Sequence, residues 1–307
     1  MCGRYGLIAA EEQLRRQFAL ARLPAQLAPR YNVAPSQAIL VVERGADGNQ
    51  ASLLRWGMPA FYAKSSQQAL RRSVINARIE SLAISPLYRR AARRGRVVVP
   101  ASFFYEWRSD ANGKVPVLIS RKDMAPMALA GVAGRWVDPR SGEVIEGAAI
   151  VTTAANSLIR GIHDRMPVLL DQGQMDLWLD EAQAIASLLA LGQSNDSDLL
   201  AARAVSPRLN DPRNDDPELI GPWPQGGGDD ASAAEMSAEG GLSPSGLGRR
   251  STERWAQDST PRLATARRWA GSGWTRCQPI PRSPFGRQRR SPPPRRRSRP
   301  CRRRSRR

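Results

Sequence analysis

A change in composition near residue 224 limits what this chain of 307 residues can fold into. Residues 224–307 are dominated by Gly, Ser, Pro and Arg and show no helical or strand periodicity. Such a segment buries too little apolar surface to offset the entropy that is lost on ordering. We therefore predict one folded domain over residues 1–223 and a disordered basic tail over residues 224–307.

The net charge of +19 belongs mainly to this tail, which holds 20 arginines and 6 acidic residues, whereas residues 1–223 carry only +5. The tail arginines predict nonspecific binding to nucleic acid through phosphate neutralisation. An out-of-frame translation of a GC-rich gene end would give a similar composition, so whether the tail is native is open. The charge of the whole chain therefore says little about the folded domain.

Several common protein classes are excluded by missing signals. No stretch approaches the roughly 20 apolar residues of a membrane-spanning helix, and the first residues lack the length and cleavage site of a signal peptide, so we expect a cytoplasmic protein with no membrane partner. Cys2, Cys277, Cys301 and the single histidine fit neither a disulfide framework nor a metal-binding spacing. No nucleotide-binding or serine-hydrolase motif is present in a suitable context. We expect no metal and no cofactor.

Hydrophobic alternation predicts more strands than helices in residues 1–223. The predicted strands are AILVVER (38–44), RVVVPASFFYEW (96–107, interrupted at Pro100 and Ala101), VPVLIS (115–120), MALAGVAG (127–134), EGAAIVTTA (146–154) and RMPVLL (165–170). The predicted helices are AEEQLRRQFAL (10–20), SPLYRRAARR (85–94), MDLWLDEAQAIASLLALG (175–192) and SDLLAARA (197–204). This irregular order favours an α+β fold with a mostly antiparallel sheet over a βαβ repeat.

The sequence begins MCGRY, so removal of Met1 would leave Cys2 with a free α-amine beside its thiol. An α-amine has a pKa of about 7.7 to 8.0, so a useful fraction is an unprotonated nucleophile at neutral pH. Such an amine forms a Schiff base with an aldehyde, and the thiolate can then close a five-membered thiazolidine. Aldehyde capture is the chemistry that this terminus does best, although an inert cysteine near the terminus is the simpler interpretation.

Three other segments place polar side chains beside apolar strands. On a strand Asn76 and Arg78 share one face, but a turn asparagine and an exposed arginine paired with Glu80 are equally consistent. Glu106 lies between aromatic residues, where desolvation raises a carboxyl pKa and suits general acid or base chemistry, or it reaches solvent at a strand end. His163 lies in a connection, where it is either functional or merely packed.

The segments MCGRY, YNVAPSQ (31–37), WGMPAF (56–61), VINARIES (74–81), VVVPASFFYEW (97–107), VTTAAN (151–156), IHDRMPVLL (162–170) and AVSPRLNDPRNDDPELIGP (204–222) follow one another in this order. Their ordered combination resembles the SOS response-associated peptidase (SRAP) family. The resemblance covers nearly all of residues 1–223 and none of the tail. It implies a single domain with a mostly antiparallel, barrel-like β core and peripheral helices.

The resemblance also implies a sensor that captures abasic sites in single-stranded DNA as a covalent DNA–protein crosslink. By carry-over, Cys2 attacks C1′ of the ring-opened deoxyribose and ends as a thiazolidine, and Asn76 orients the Cys2 terminus. Glu106 moves the protons, and His163 assists as a general acid or base or binds the sugar and phosphate. A protein with this function would be nucleoid-associated when bound to DNA, and we expect a monomer.

Four further positions match DNA-contacting positions of the family. Arg4, Arg78 and Arg165 would hold the DNA backbone, and Trp107 would pack on a neighbouring base. Arginines suit phosphate anchoring without base readout, and aromatic stacking tolerates any sequence. Family members can carry a tryptophan pair after the WG element, where this chain reads PAFYAKSSQ, so its preference for a DNA junction is open.

Two other functions are consistent with the sequence. In the first, Cys2 is the nucleophile of a peptidase with His163 or Glu106, whose activity could be limited to the release of its own leader. In the second, the chain is a nonspecific nucleic-acid binder whose affinity comes from the arginine-rich tail. Cys2→Ser would block the first activity, and deletion of residues 224–307 would abolish the second.

Overall fold

Two β-sheets make up most of the folded domain in a computed structural model that describes residues 2–25, 27–111, 113–193, 197–221 and 223. The predicted domain boundary at residue 223 coincides with the last described residue. The predicted disordered tail, residues 224–307, lies outside the described residues, so both stay predictions. No helix in the described part of the chain is long and apolar enough to cross a membrane.

The strands occur mostly in runs, with short helices between the runs. The strands are β1 (Arg4–Leu7), β2 (Leu20–Arg22), β3 (Arg30–Val33), β4 (Ala38–Gly45), β5 (Gly48–Trp56), β6 (Asn76–Arg78), β7 (Arg96–Ala101), β8 (Phe103–Asp110), β9 (Gly113–Arg121), β10 (Met127–Val137), β11 (Val144–Ala154), β12 (Arg165–Pro167), β13 (Leu169–Leu170) and β14 (Leu200–Ala204). The α-helices are α1 (Glu11–Gln17), α2 (Ser66–Arg71), α3 (Arg89–Arg94), α4 (Ser157–Arg160), α5 (Gln172–Leu179) and α6 (Ile185–Leu188). Short 3₁₀ helices lie at Ile79–Ser81, Leu189–Gln193, Pro207–Asn210 and Pro217–Ile220.

The smaller sheet has the strand order β14-β9-β8-β1-β3, and its neighbouring strands are antiparallel. The first strand of the chain, β1, is therefore an inner strand with β8 on one side and β3 on the other. Arg4 pairs with Tyr105 and Tyr5 pairs with Val33. This position brings the first residues of the chain to the end of β8.

The larger sheet closes on itself. β11, β10, β7, β4 and β5 pair in succession as antiparallel neighbours, and a short parallel pairing between β5 and β11 completes the ring. At this closure a Cβ on Gly147 would lie 2.2 Å from the carbonyl oxygen of Gly57, so the close approach requires a residue without a side chain. The α+β fold and its barrel-like β core are confirmed.

Successive residues of the barrel strands enter two different apolar clusters, as the two-residue period of a strand requires. In β7, Val97 and Val99 pack with one cluster and Val98 packs with the other. The cluster that contains Val98 is covered by helices, through residues such as Leu14 of α1 and Trp178 of α5. Because both faces of β7 are covered, its residues form a continuous apolar run.

The break that the sequence predicts at Pro100 and Ala101 lies slightly further on. Both residues belong to β7, where Pro100 pairs with Ala128. The chain passes from one sheet to the other at Ser102, whose N–H donates to the carbonyl oxygen of Gly6 over 2.8 Å and whose Oγ accepts from the N–H of Ile8 over 3.0 Å. Ser102 thus ties the crossing point to β1.

Two helix predictions are wrong. Residues 200–204 form β14, because every second side chain packs inward and the backbone pairs with β9 from Leu200 to Ala204; this pairing overrides the helix propensity of its alanines. The long helix predicted over residues 175–192 is divided into α5, α6 and a 3₁₀ helix. Asp180 ends α5, and its carboxylate accepts hydrogen bonds from the N–H of Ala182 and from Gln183.

Candidate active site

Cys2 lies just before β1 and is completely buried. Its side chain packs in the apolar cluster that contains Tyr5 and Trp56, whose rings meet edge to face at 5.4 Å. Burial raises the pKa of the Cys2 thiol, and the nearby charge of Glu106 raises it further. The thiol is therefore held in its protonated form in an apolar setting, next to a carboxyl group.

Asn76 holds the backbone of Cys2. Its Nδ2 donates to the carbonyl oxygen of Cys2 over 2.9 Å, and its Oδ1 is buried without a hydrogen-bond partner in the described residues. The strand that carries it, β6, pairs in parallel with β11, where Asn76 is opposite Ile150. A residue 74 positions further along the chain thus holds the backbone just before β1.

Glu106 lies on β8 one position beyond Tyr105, the partner of Arg4, and its side chain is almost fully buried. Burial raises the pKa of the Glu106 carboxyl, while the positive charge of protonated His163 opposes that rise. The sequence left open whether Glu106 reaches solvent, and the structure shows that it does not. A buried carboxyl with a raised pKa can act as a proton donor near neutral pH.

His163 follows α4 and precedes β12. Its Nδ1 accepts a hydrogen bond from the N–H of Arg165 over 2.9 Å and lies 2.8 Å from Oδ1 of Asp164. The neutral ring can accept from Arg165, and the protonated ring can donate to Asp164. The ring is partly exposed, and it is near enough to the buried Glu106 for its charge to act on that carboxyl group.

The two arginines near β6 and β12 differ in their surroundings. Arg165 forms a bidentate ion pair with Glu80, with N–O distances of 2.8 and 3.0 Å, and also donates to the carbonyl oxygen of Thr152. Its side chain is 11% exposed. Arg78 is exposed, and within the described residues its guanidinium has no ion-pair partner. Glu80 therefore pairs with Arg165, whereas the sequence had suggested Arg78.

Arg4 and Trp107 are both tied to the 3₁₀ helix at Pro207–Asn210. The guanidinium of Arg4 donates to Oδ1 of Asn32 and to the carbonyl oxygen of Leu209, in each case over 2.8 Å. The indole N–H of Trp107 donates to Oδ1 of Asn210 over 2.8 Å. Trp107 is half-buried, so part of its ring surface remains accessible.

Sequence reasoning missed the residues that support these groups. Asn32 is fully buried, and its Nδ2 donates to the carbonyl oxygens of Leu209, Asp211 and Asn214. The hydroxyl of Tyr88 donates to the carbonyl oxygen of Asn76 over 3.2 Å. Asn32 lies in the segment YNVAPSQ, which is part of the resemblance, but nothing local in the sequence indicates its partners.

A second concave feature lies away from these residues. A groove of about 770 Å³ is bordered by α1, α5, β9 and β10, including Phe18, Arg121, Leu170 and Leu200. It contains none of the predicted site residues. The site at Cys2 is instead a buried cluster with polar groups at its edge, which suits a small reacting group more than a large ligand.

The structure thus brings Cys2, Asn76, Glu106 and His163 together and places the four DNA-contacting candidates around them. These features define a class of α+β barrel proteins with a cysteine near the start of the chain. An asparagine holds the cysteine backbone, and a buried glutamate lies near its thiol. The family model described as SOS response associated peptidase (SRAP) matches residues 1–212. The chain belongs to this family.

Among characterised relatives, the abasic site processing protein YoqW of Bacillus subtilis is 37% identical over 224 residues, which cover 72% of this chain and 99% of YoqW. The abasic site processing protein YedK of Escherichia coli is 28% identical and is covered completely. A solved structure from Bacteroides thetaiotaomicron superimposes with a TM-score of 0.64 at 25% identity and covers 72% of this chain and 100% of the other. The YoqW and Bacteroides matches each leave 28% of this chain uncovered.

Proposed function

We propose that this protein processes abasic sites in DNA and captures those in single strands as a covalent crosslink through Cys2. The relatives named abasic site processing proteins support the first part of the proposal. One observation carries the second part: Cys2 is held by Asn76 and lies within the electrostatic reach of Glu106. A cysteine fixed beside a buried proton donor suits a reaction in which an amine and a thiol add to the same carbon.

The reaction requires removal of Met1, which gives Cys2 a free α-amine. The amine adds to C1′ of the ring-opened deoxyribose to give a carbinolamine, which loses water to become an iminium ion. The thiol sulfur then forms a bond to C1′, the electrons of the C–N π bond return to nitrogen, and the thiol proton is released to a base. The net change is one aldehyde and one aminothiol converted to a thiazolidine and one water molecule.

Glu106 suits both proton transfers in this sequence. A carboxyl whose pKa is raised by burial can protonate the hydroxyl that leaves the carbinolamine. The resulting carboxylate can then accept the proton of the thiol, whose raised pKa keeps it protonated until that step. His163 is partly exposed and its charge acts on Glu106, so it suits the exchange of protons between Glu106 and solvent.

The groups around the cluster suit the backbone of a single strand. Arg78 is exposed and forms no ion pair with another residue that the structure describes, so a phosphate can pair with it at little cost. The accessible part of Trp107 offers a stacking surface that tolerates any base. Arg4 and Arg165 already donate hydrogen bonds within the protein. They would attract the DNA through their positive charge, or would bind a phosphate only after leaving their present partners.

A peptidase that uses Cys2 as its nucleophile is the alternative. Cysteine peptidases need a thiolate, which a neighbouring histidine cation or a helix N-terminus stabilises. Here burial raises the pKa of Cys2 and the Glu106 charge raises it further, which disfavours the thiolate. These two effects count against a peptidase that relies on a preformed thiolate.

The test uses purified full-length protein and a single-stranded oligonucleotide with one abasic site, resolved on a denaturing gel and by intact mass. Cys2→Ala keeps the α-amine but removes the thiol that closes the stable ring, and Cys277→Ala is the matched control, because that cysteine lies in the tail. We expect a heat-stable adduct whose mass fits protein without Met1, present with Cys277→Ala and absent with Cys2→Ala.

Two further samples separate the alternatives. Protein that lacks residues 224–307 should crosslink like the full chain, whereas loss of all DNA binding would favour the nonspecific binder. Cys2→Ser should retain Met1 if the chain removes its own leader, and should lose Met1 like the wild type if a separate aminopeptidase does so. An absent adduct despite confirmed Met1 removal would refute the crosslinking proposal.

A further inference from the structure

The short helix α3 presents four arginines to solvent. Arg89, Arg90, Arg93 and Arg94 are exposed, while Ala91 and Ala92 between them are buried in the helix-covered apolar cluster. The buried alanines pack α3 onto the barrel and leave the four guanidinium groups on the outer side. We refer to these four residues as the α3 arginine face.

This arrangement works against the stability of the helix itself. Arg89 and Arg93 are four positions apart, as are Arg90 and Arg94, and like charges at this spacing repel each other. Arg89 and Arg90 also lie in the first turn, where the helix dipole disfavours positive charge, and that turn has no acidic residue and no capping side chain.

No compensating partner is present within the described part of the chain. None of the four arginines forms an ion pair or a side-chain hydrogen bond with another described residue. Elsewhere in the domain exposed arginines do pair, as Arg15 does with Glu11 and Arg44 with Asp176. Four unpaired like charges on one short helix leave an anion as the partner that would stabilise them.

Two hydrogen bonds connect this helix to the site. Tyr88 immediately precedes α3, and its hydroxyl donates to the carbonyl oxygen of Asn76 over 3.2 Å. Asn76 in turn donates to the carbonyl oxygen of Cys2 over 2.9 Å. The α3 arginine face therefore begins one residue after Tyr88, which two hydrogen bonds link to Cys2.

We propose that the α3 arginine face binds the backbone phosphates of one arm of the DNA strand that flanks the abasic nucleotide. This inference rests on the proposed function and adds to it a polarity: one arm of the strand lies along α3 and the other does not. Arginine fits phosphate oxygens in a bidentate manner without reading the base, as binding next to any lesion requires.

The experiment compares the crosslinking rates of Arg89→Gln/Arg93→Gln and Arg44→Gln/Arg121→Gln in the full chain. The control pair removes the same net charge from two arginines that have acidic partners, the exposed Arg44 and the half-buried Arg121. Each protein reacts with three single strands at limiting concentration and several salt concentrations. One strand has a long arm only 5′ of the abasic site, one only 3′ of it, and one has two nucleotides on each side.

We expect the α3 variant to react about fivefold more slowly than the control pair on one of the two long-arm strands and equally fast on the other two substrates. On the affected strand the negative slope of log rate against log salt should become shallower by about 1.4. The variant loses two phosphate contacts, and each single-strand contact contributes about 0.7 to the slope. Thermal unfolding should show that the α3 variant is at least as stable as the control, since its substitutions remove repulsion.

Three outcomes would overturn the inference. Equal rates and salt slopes for the two variants on every substrate would show that α3 does not contact DNA. Equal losses on both long arms would indicate a general electrostatic effect, and a loss on the short strand would place the arginines within the reaction itself. If even the wild type gives no adduct, the proposed function fails, and binding of unmodified strands measured by fluorescence anisotropy still tests the α3 arginine face.

Discussion

The amide nitrogen of Asn76 donates to the carbonyl oxygen of Cys2 over 2.9 Å, and this hydrogen bond joins residues 74 positions apart. It connects the strand β6, which is paired with the barrel, to the residue that precedes β1 in the other sheet. The two sheets therefore meet at Cys2. The position of the proposed nucleophile depends on both of them.

Asn76→Ala should slow crosslinking more than its cost in stability explains, because Cys2 loses the group that orients it. We expect about a tenfold lower rate, equivalent to about 1.4 kcal/mol in the transition state. Asn49→Ala is a matched control, since Asn49 also donates to a backbone carbonyl over 2.9 Å and has a buried, unpaired Oδ1. Single-turnover rates measured on folded protein should be normal for Asn49→Ala, and equal losses in both variants would refute the orienting role.

Glu106→Gln should change the pH dependence of folding stability and the crosslinking rate, and the two effects can be measured separately. Burial raises the pKa of Glu106 above its usual 4.5, so its neutral form stabilises the fold at low pH and that contribution is lost as pH rises through the folded pKa. The stability of Glu106→Gln relative to the wild type should therefore increase from about pH 4.5 upward and then level off. Urea unfolding at a series of pH values measures this difference, and a constant difference across the series would contradict it.

The same Glu106→Gln variant should crosslink about 100-fold more slowly or worse, since general acid and base catalysis contributes 10²- to 10⁴-fold. Glutamine keeps the shape and removes the transferable proton. The rate is measured by quenching at short times and resolving the adduct on a denaturing gel. A normal rate would remove Glu106 from the mechanism while leaving the stability prediction intact.

Glu80→Gln should strengthen the binding of single-stranded DNA. Glu80 occupies both terminal nitrogens of Arg165, and its removal as an anion frees that guanidinium for a phosphate. We expect about a threefold tighter complex and a salt dependence that is steeper by about 0.7. Glu11→Gln, which breaks the exposed Arg15–Glu11 pair, changes the net charge equally and should have little effect.

Fluorescence anisotropy with an unmodified strand measures both Glu80→Gln and Glu11→Gln. The cost of Glu80→Gln in folding stability should be at most about 1 kcal/mol, because the Glu80 side chain is 55% exposed and the pair is screened by solvent. Identical affinities for the two variants would indicate that Arg165 stays within the protein and does not reach the DNA.

Gly147→Ala should destabilise the barrel where it closes. The added methyl group would lie 2.2 Å from the carbonyl oxygen of Gly57, so the pairing of β5 with β11 must shift. Overpacking of this kind costs about 1 to 3 kcal/mol. Gly173→Ala in α5 is the control, because its methyl group would have only an ordinary contact at 3.6 Å, and it should stabilise the helix by up to about 1 kcal/mol.

Hydrophobic periodicity correctly predicted the strands and helices whose structure depends mainly on their own residues. The strands at residues 38–44, 115–120, 127–134 and 146–154 were confirmed because alternating or continuous apolar residues fit a sheet with one or both faces covered. Leu14 and Phe18, which lie four positions apart in the predicted helix over residues 10–20, are both buried. The segment 197–204 was misread because alanine favours helices, whereas the partner strand β9, which decides its structure, is about 80 residues away.

The site was predicted by resemblance more than by local pattern. Local reasoning alone left Cys2, Glu106 and His163 with inert alternatives. The contacts that determine the surroundings of the site arginines join distant parts of the chain. Arg165 and Glu80 are 85 residues apart, and Arg4 and Leu209 are 205 apart. A single sequence does not indicate which distant residues are in contact, so the pairing of Glu80 with Arg165 could only be learned from the structure.

The inner position of β1 also bears on the order of events during synthesis. Its neighbour β8 begins at Phe103, so Cys2 cannot be enclosed until about 100 further residues have been translated. At about 5 to 20 residues per second this takes roughly 5 to 20 seconds. An aminopeptidase that removes the preceding methionine has that interval to act on an accessible nascent chain, before folding conceals its substrate.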